Sequence, residues 1–143
     1  MVHYQPSGGT TEVQSTTEYG IQYTGIEGLD VRFAAGDNED TASVTVENTV
    51  MAATYAIDAF TIGMQDNSTD STTANADNDF RAYGISYAVS DELSISYGNS
   101  TVEHENTSLV DQEANAISFS YVSGGMTISG TMADVDNVGG TAT

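Results

Sequence analysis

The 143-residue chain contains no cysteine, tryptophan or lysine, and only two arginines stand against its 21 acidic residues. Without cysteine there is no disulfide framework, no thiolate metal site and no cysteine nucleophile. Two arginines make no basic patch for a phosphate backbone, so nucleic acid is not an expected partner. The two histidines, His3 and His104, lie far apart in the sequence. Most hydrolytic and zinc chemistry is thereby excluded, and we do not expect an enzyme.

Long hydrophobic runs are also missing. No stretch approaches the ~20 consecutive apolar residues of a transmembrane helix, and the first residues, MVHYQPSGGTTEVQ, lack the basic and apolar regions of a signal peptide. These absences would ordinarily indicate a soluble cytoplasmic protein. Hydropathy, however, detects membrane β-barrels poorly, because their strands are only ~9–11 residues long and half apolar.

What the chain does contain is a repeat. Short polar breaks at 25–28, 58–59, 90–92 and 123–125 recur about every 32–33 residues, and each lies between two runs in which apolar and polar residues alternate. Alternation with period two predicts half-buried strands. We therefore expect one domain of four antiparallel hairpins, at about 17–37, 49–65, 79–98 and 114–133, with residues 1–16 irregular or in a loop. The hairpins should be joined by long polar connections that hold most of the acidic residues and His104, which we expect to be solvated.

Sorting each strand by parity gives an apolar face and a face of small polar residues. The stretch Val44–Val46 breaks this phase, and a bulge near residue 48 would explain the break. A soluble β-sandwich would also bury one face of each sheet. Three features favour a membrane barrel instead: the second face carries small residues, the acidic residues lie in the long connections, and aromatic residues recur near the short turns, as in an interfacial girdle. The expected girdle consists of Tyr23, Phe60, Tyr87 and Tyr121.

The small-residue face also predicts the size of the barrel. The interior of an eight-stranded barrel is just filled by its side chains, and Ser, Gly, Ala and Thr would leave it hollow. We therefore expect an antiparallel up-and-down transmembrane β-barrel of about 16 strands, of which about eight are present. The sequence lacks a closing aromatic strand, so we interpret it as a fragment cut at both ends.

The segments YGIQYTGIEGLDVRFAAGDNE, YGISYAVSDELSISYGNSTVEHE and QEANAISFSYVSGGMTISGTMADVDNVGG resemble the later strands of Gram-negative general porins, especially the alphaproteobacterial kind. The resemblance covers most of the chain from about residue 17 onward. It implies a 16-stranded barrel in the outer membrane that assembles as a homotrimer and passes ions and small hydrophilic solutes by passive diffusion. It also implies outer-membrane lipid and lipopolysaccharide as the surroundings.

The expected pore wall follows from the small-residue face. Asp30 and Arg32 are its charged pair, and opposed charges on a pore wall screen solutes by charge and dipole, although a local ion pair of little consequence is the alternative. Arg81 falls on the outer face near the long connections, where it could reach a phosphate. The acidic surplus at the mouth predicts a weak cation preference that falls at high salt. The expected pore-lining residues are Asp30, Arg32, Thr54, Thr61, Ser86, Ser94, Ser96, Ser118, Ser120, Thr127 and Ser129.

No cofactor is required by this interpretation, and calcium is the one ligand that the sequence suggests. Asp37, Asp40, Asp134 and Asp136 offer clustered carboxylate oxygens, which Ca²⁺ prefers, but their spacing matches no EF-hand loop. Simply solvated loops are the alternative. The competing functional hypotheses are a secreted or cell-surface acidic β-protein, such as an adhesin or S-layer module with calcium-binding loops, and a complete eight-stranded barrel with a structural or adhesive role.

Overall fold

The computed structural model describes residues 2–5, 13–40 and 44–142, which form one antiparallel sheet with its strands in sequence order. One short 3-10 helix, η1, follows the last strand, and no helix in these ranges has the length and hydropathy needed to cross a bilayer. The strands are β1 Val2–Gln5, β2 Val13–Tyr23, β3 Leu29–Asp40, β4 Thr45–Ile57, β5 Phe60–Ser71, β6 Asn78–Ala88, β7 Leu93–His104, β8 Gln112–Ser123 and β9 Met126–Asp136, with η1 at Val138–Gly140.

The four predicted hairpins are present, and each predicted break is a turn. The tightest turns have backbones that match the right-handed twist of a hairpin. Gly124 and Gly125 both have positive φ, at 56° and 83°, and Asp58 has φ 51° in the β4–β5 turn. Positive φ at the central residues is the geometry of the favoured two-residue hairpin turns.

The strands are longer than the sequence predicted. Residues 1–16 were expected to be irregular, yet β1 covers 2–5 and β2 begins at Val13. The predicted long connections are largely strand as well: β5 runs to Ser71 and β7 to His104, which leaves loops of only 72–77 and 105–111 on that side. Polar composition does not end a strand, because the backbone pairing between neighbours continues whatever the side chains are. We call this side of the sheet the far end, and the side of the short turns the turn end.

The bulge expected near residue 48 is absent. Every residue of β4 from Thr45 to Tyr55 is paired with β3 without a shift, and the irregularity falls between Val13 and Ser15 instead. Val46 and Val50 therefore lie on the small-residue face. The change of phase in the sequence comes from apolar residues on that face and not from an extra residue in the strand.

The sheet is a single layer. Among the described residues there is no buried hydrophobic side chain, and no second layer covers the apolar face. Ile21, Ile117 and Met132 expose 68%, 62% and 81% of their surface. No pairing within the described ranges joins β9 back to the first strands, so the sheet is open. An apolar face of this extent is far larger than the patches that soluble monomers expose.

The apolar residues form a band that runs obliquely across the hydrogen-bonded rows. One row connects Leu29, Tyr55, Ile62, Ile85, Tyr97, Ile117 and Met132. Leu29 is the first residue of β3, at the turn edge of the band, whereas Met132 is the last apolar residue of β9 before Asp134 and lies at the far edge. On β3 the band is about six residues tall, from Leu29 to Ala35, which precedes Asp37 on the same face. The row therefore crosses the full height of the band between β3 and β9. This corresponds to a shift of about one residue per strand.

This shift fixes the tilt of the strands relative to the band. One residue is ~3.4 Å along a strand and neighbouring strands are ~4.8 Å apart. A displacement of one residue per strand therefore corresponds to strands inclined by about 35° from the normal to the band.

Candidate functional site

Two hollows open on the small-residue face, which we call the concave face, and we call the opposite face the convex face. A cavity of about 520 Å³ spans β3 to β7, and its walls include Asp30, Arg32, Thr54, Thr61 and Ser96. Gly63, Gly84 and Gly98 are paired in one row across β5, β6 and β7, so no side chain projects into the hollow there. The apolar band lies on the convex face.

Hydroxyl groups follow the concave face in two adjacent rows near the turn end. Because residues paired across strands share a face, the register itself aligns them. Ser118 Oγ and Thr131 Oγ1 lie 2.9 Å apart within the first row. That row consists of Thr61, Ser86, Ser96, Ser118 and Thr131, and the second of Ser94, Ser120 and Ser129.

A hydrogen-bonded group of Gln22, Asp30 and Arg32 lies at the β2–β3 side of the cavity. Arg32 donates from Nε to Asp30 Oδ1 at 3.0 Å and from Nη2 to Oδ2 at 2.8 Å, and Gln22 Nε2 donates to the same Oδ2 at 2.8 Å. Three donors on one carboxylate fix its orientation. Since the pair is exposed, with Arg32 65% accessible, it contributes little to stability. Its two charges cancel at a distance but leave a dipole on the wall.

All eleven predicted pore-lining residues lie on the concave face, and most of them border the cavity or the hydroxyl rows. The predicted pore-lining residues did not include Gln22, Thr131 or Glu18, although the parity of all three places them on this face. The signal was the alternation itself: Glu18 and Gln22 flank Gly20 on the same side of β2.

Aromatic side chains occur at two levels of the band. When the shift of one residue per strand is allowed for, the predicted girdle residues lie within about one residue of the same height at the turn edge. A second level, not predicted, follows the far edge, and aliphatic residues with Phe119 occupy the middle. The turn-edge level consists of Tyr23, Tyr55, Phe60, Tyr87 and Tyr121, and the far-edge level of Tyr19, Phe33, Tyr83 and Tyr97.

One pair of rings in each level is in contact, and one tyrosine hydroxyl of each level donates a hydrogen bond away from the centre of the band. Phe60 and Tyr87 stack with centroids 4.6 Å apart, and Tyr19 and Phe33 lie 6.1 Å apart. Tyr97 donates to Asn115 Oδ1 beyond the far edge at 2.8 Å, and Tyr121 donates to Glu92 Oε2 in a short turn at 3.3 Å. Amphipathic rings with one apolar side and one polar end are typical of membrane–water interfaces.

We expected most of the acidic residues to lie in loops, but most of those in the described ranges lie on strands. Ten carboxylates lie on strands, on the convex face beyond the far edge of the apolar band, because the strands continue through the polar segments. Only Glu18 and Asp30 face the concave side among the side chains described. The convex set, which we call the acidic belt, consists of Asp37, Glu39, Glu47, Asp66, Asp70, Asp79, Glu103, Glu113, Asp134 and Asp136.

Arg81 lies in this belt, at the far edge of the band, as its parity predicted. Its Nε donates to Asp66 Oδ2 at 3.1 Å, and its Nη1 lies 3.6 Å from Glu103 Oε1. Two carboxylates therefore compete with any phosphate for this guanidinium.

The four residues predicted as calcium ligands are not brought together. Asp37 and Asp40 lie on β3, and Asp134 and Asp136 lie six strands away on β9. The side chain of Asp40 is outside the described part. Within the described ranges no group of three or more acidic or histidine side chains is arranged to hold a metal ion. Calcium binding stays a prediction from the sequence.

His104 is not the solvated loop residue that we expected. It is the last residue of β7, its Nδ1 lies 2.6 Å from Asn78 Oδ1, and its buried Nε2 has no hydrogen-bond partner. Gly140 packs so closely over the ring that a Cβ there would lie 3.3 Å from Nε2. The loop 105–111 is joined to η1 by the bond from Val110 N to Gly140 O, so His104 belongs to the packing of the far end.

Comparison of the chain with known protein families, with curated proteins and with solved structures found no match.

Proposed function

We propose that this chain forms part of the wall of an outer-membrane porin, a water-filled barrel for passive diffusion of ions and small hydrophilic solutes. The observation that carries the proposal is the oblique apolar band. Strands inclined by about 35° to the band normal match the ~35–45° tilt of transmembrane barrels. The tilt comes from the pairing register and the sequence together, whereas a soluble sheet has no need to keep its apolar edge at one height.

The height and edges of the band support the same function. Six residues of tilted strand give about 17 Å between the outermost Cα atoms. The side chains at each edge extend the band towards the ~25 Å apolar belt of such barrels, which is bounded by aromatic girdles on both sides. The two aromatic levels would supply both girdles, and the hydroxyls of Tyr97 and Tyr121 bond outward from the band.

The concave face supports a wide lumen. It carries Gly, Ala, Ser and Thr over most of its area, and these side chains would leave an eight-stranded interior hollow. We therefore place the eight long strands in a barrel of about 16. In a bilayer every backbone polar group must be paired, so the open edges of this sheet require further strands. The homotrimer and the lipopolysaccharide surroundings implied by the porin resemblance stay predictions.

The secreted acidic β-protein considered above is supported less well. Its apolar face would need a covering layer in water, and none is present among the described residues. Its calcium loops would need carboxylates gathered in loops, whereas the acidic residues lie along strands.

Strand orientation in a membrane tests the proposal directly. We expect the chain, refolded into oriented bilayers, to give an amide I infrared dichroism corresponding to strands tilted by about 35–45° from the membrane normal. Where copies of the chain close a barrel through their open edges, the same preparation as vesicles should become permeable to small sugars. A chain that stays monodisperse in buffer without detergent, or that lies on bilayers with no strand tilt and no permeability, would contradict the porin function.

A further inference from the structure

Charge is divided very unequally between the two faces of the sheet. Ten strand carboxylates lie on the convex side by their parity, and of these Asp37 also borders a hollow of the concave face. Among the described side chains, the concave face carries only Glu18, Asp30 and Arg32 as charged residues. A lumen lined by this face is therefore screened from most of the acidic surplus of the chain.

Two of the three concave charges neutralise each other. Arg32 binds Asp30 through two hydrogen bonds of 3.0 and 2.8 Å, so the pair adds no net charge to the wall. Glu18 forms no ion pair among the described side chains, whose ion pairs all involve Arg32 or Arg81, and the side chain of His3, opposite Glu18 on β1, lies outside the described part. It is thus the uncompensated charge of the described wall.

Glu18 also borders a hollow whose walls include side-chain oxygen atoms of the kind that bind cations. A cavity of about 590 Å³ lies on the concave face between β2 and β4, and its walls include Thr16, Glu18, Asn38 and Asn48. Asn48 lies in the row that contains Glu18 and Gly36, and its Oδ1 accepts a hydrogen bond from Thr69 Oγ1 on β5 at 3.0 Å.

Glycine keeps this hollow open. A Cβ at Gly36 would lie 3.1 Å from Glu18 Cγ and 3.0 Å from Thr17 O, so a larger residue would displace the Glu18 side chain. Glu18 is adjacent to Tyr19 of the far-edge aromatic level. The hollow is therefore at the height where a lumen would pass from the far end into the membrane.

We infer that Glu18 forms a transit site for hydrated cations at the far-end entrance of the lumen and sets its cation preference. This inference rests on the proposed function. A carboxylate with hydroxyl and amide oxygens around it suits a cation that keeps part of its water. A single fixed charge on a polar wall raises the local concentration of counter-ions without binding them tightly, as conduction requires. From the sequence we expected the cation preference to come from acidic residues at the mouth. Because most strand carboxylates lie on the convex face, we attribute the preference to Glu18 on the concave face instead.

The reversal potential across a KCl gradient tests the site. In bilayers where copies of the chain close a conducting barrel through their open edges, we expect Glu18→Gln to lower the permeability ratio of K⁺ to Cl⁻ by at least about twofold, because the wall loses its uncompensated charge. Glu47→Gln removes the same charge from the convex face and should leave the ratio unchanged. Arg32→Gln should raise the ratio, because Asp30 is then unpaired. An unchanged ratio in Glu18→Gln, or an equal fall in Glu47→Gln, would overturn the inference.

A second measurement needs no conduction. In the detergent-folded chain, Mn²⁺ should broaden the amide resonances of Gly20 and Gly36 in the hollow, and Glu18→Gln should reduce that broadening severalfold while Glu47→Gln does not. Broadening that is the same with and without Glu18 would overturn the cation site. Vesicles that stay impermeable although the Glu18-dependent broadening is present would instead contradict the proposed function.

Discussion

Replacing Ile85 by lysine should lower the free energy of unfolding in a bilayer by about 2–4 kcal/mol, the cost of a lysine at the midplane on the lipid face of a barrel. Ile85 lies in the middle of the apolar band, on the row between Ile62 and Tyr97, and 43% of its surface is exposed. Nothing on the convex side within the described residues could pair with the new charge at that height. Urea unfolding of the chain in lipid vesicles, followed by circular dichroism, measures the loss.

The neighbouring residue provides the matched control. Ser86 lies on the same strand but on the concave face, in the hydroxyl row between Thr61 and Ser96. In a water-filled lumen Ser86→Lys should change the free energy of unfolding by less than about 1 kcal/mol, as surface substitutions do. Equal losses for both variants, or a larger loss for Ser86→Lys, would mean that the convex face does not meet lipid.

Gly28→Ala should lower the free energy of unfolding by more than about 2 kcal/mol, because backbone strain and a steric clash add at this position. Gly28 has φ 78° in the β2–β3 turn, a conformation that costs an alanine about 1–2 kcal/mol. A Cβ there would also collide with the carbonyl oxygen of Ala56. The turn must then move, and it carries the hydrogen bond of 2.8 Å from Ala56 N to Gly28 O that joins it to the end of β4. The measurement is again urea unfolding in vesicles.

Gly124→Ala separates the two contributions. Gly124 has φ 56° in the β8–β9 turn, but no atom lies within 4 Å of its Cβ position. It should therefore show the backbone cost alone, about 1–2 kcal/mol. If Gly28→Ala were no more destabilising than Gly124→Ala, the close approach between the β2–β3 turn and β4 would not exist in the folded chain.

The repeat in the sequence was sufficient to predict the hairpins, because period-two alternation and short polar breaks are local signals. Gly124 and Gly125 mark their turn without reference to any other part of the chain. The two faces followed for the same reason, since parity along a strand needs no tertiary information. This is why every predicted pore-lining residue lies on the concave face.

The ends of the strands could not be predicted in this way. Segments such as QDNSTDS read as loop from composition, yet they pair along β5 because the neighbouring strand is already aligned beside them. That error placed most of the acidic residues in loops. The calcium hypothesis for Asp37, Asp40, Asp134 and Asp136 was drawn from the same polar segments and stays a prediction. The far-edge aromatic level was missed for a related reason: Tyr83 and Tyr97 share a height only once the register is known.

The continuation of paired strands into the acidic belt makes the far end sensitive to ionic strength. Asp37 and Asp70 both face Glu47 across strand pairs, and Asp79 faces Glu103. Like charges directly opposite each other weaken a strand pair, and salt screens them over a Debye length of about 10 Å at 0.1 M. In dilute buffer the hairpins should therefore fray from the far end and exchange their amide protons there first. Added salt closes that end, while the short turns, whose few carboxylates are not stacked strand on strand, respond little.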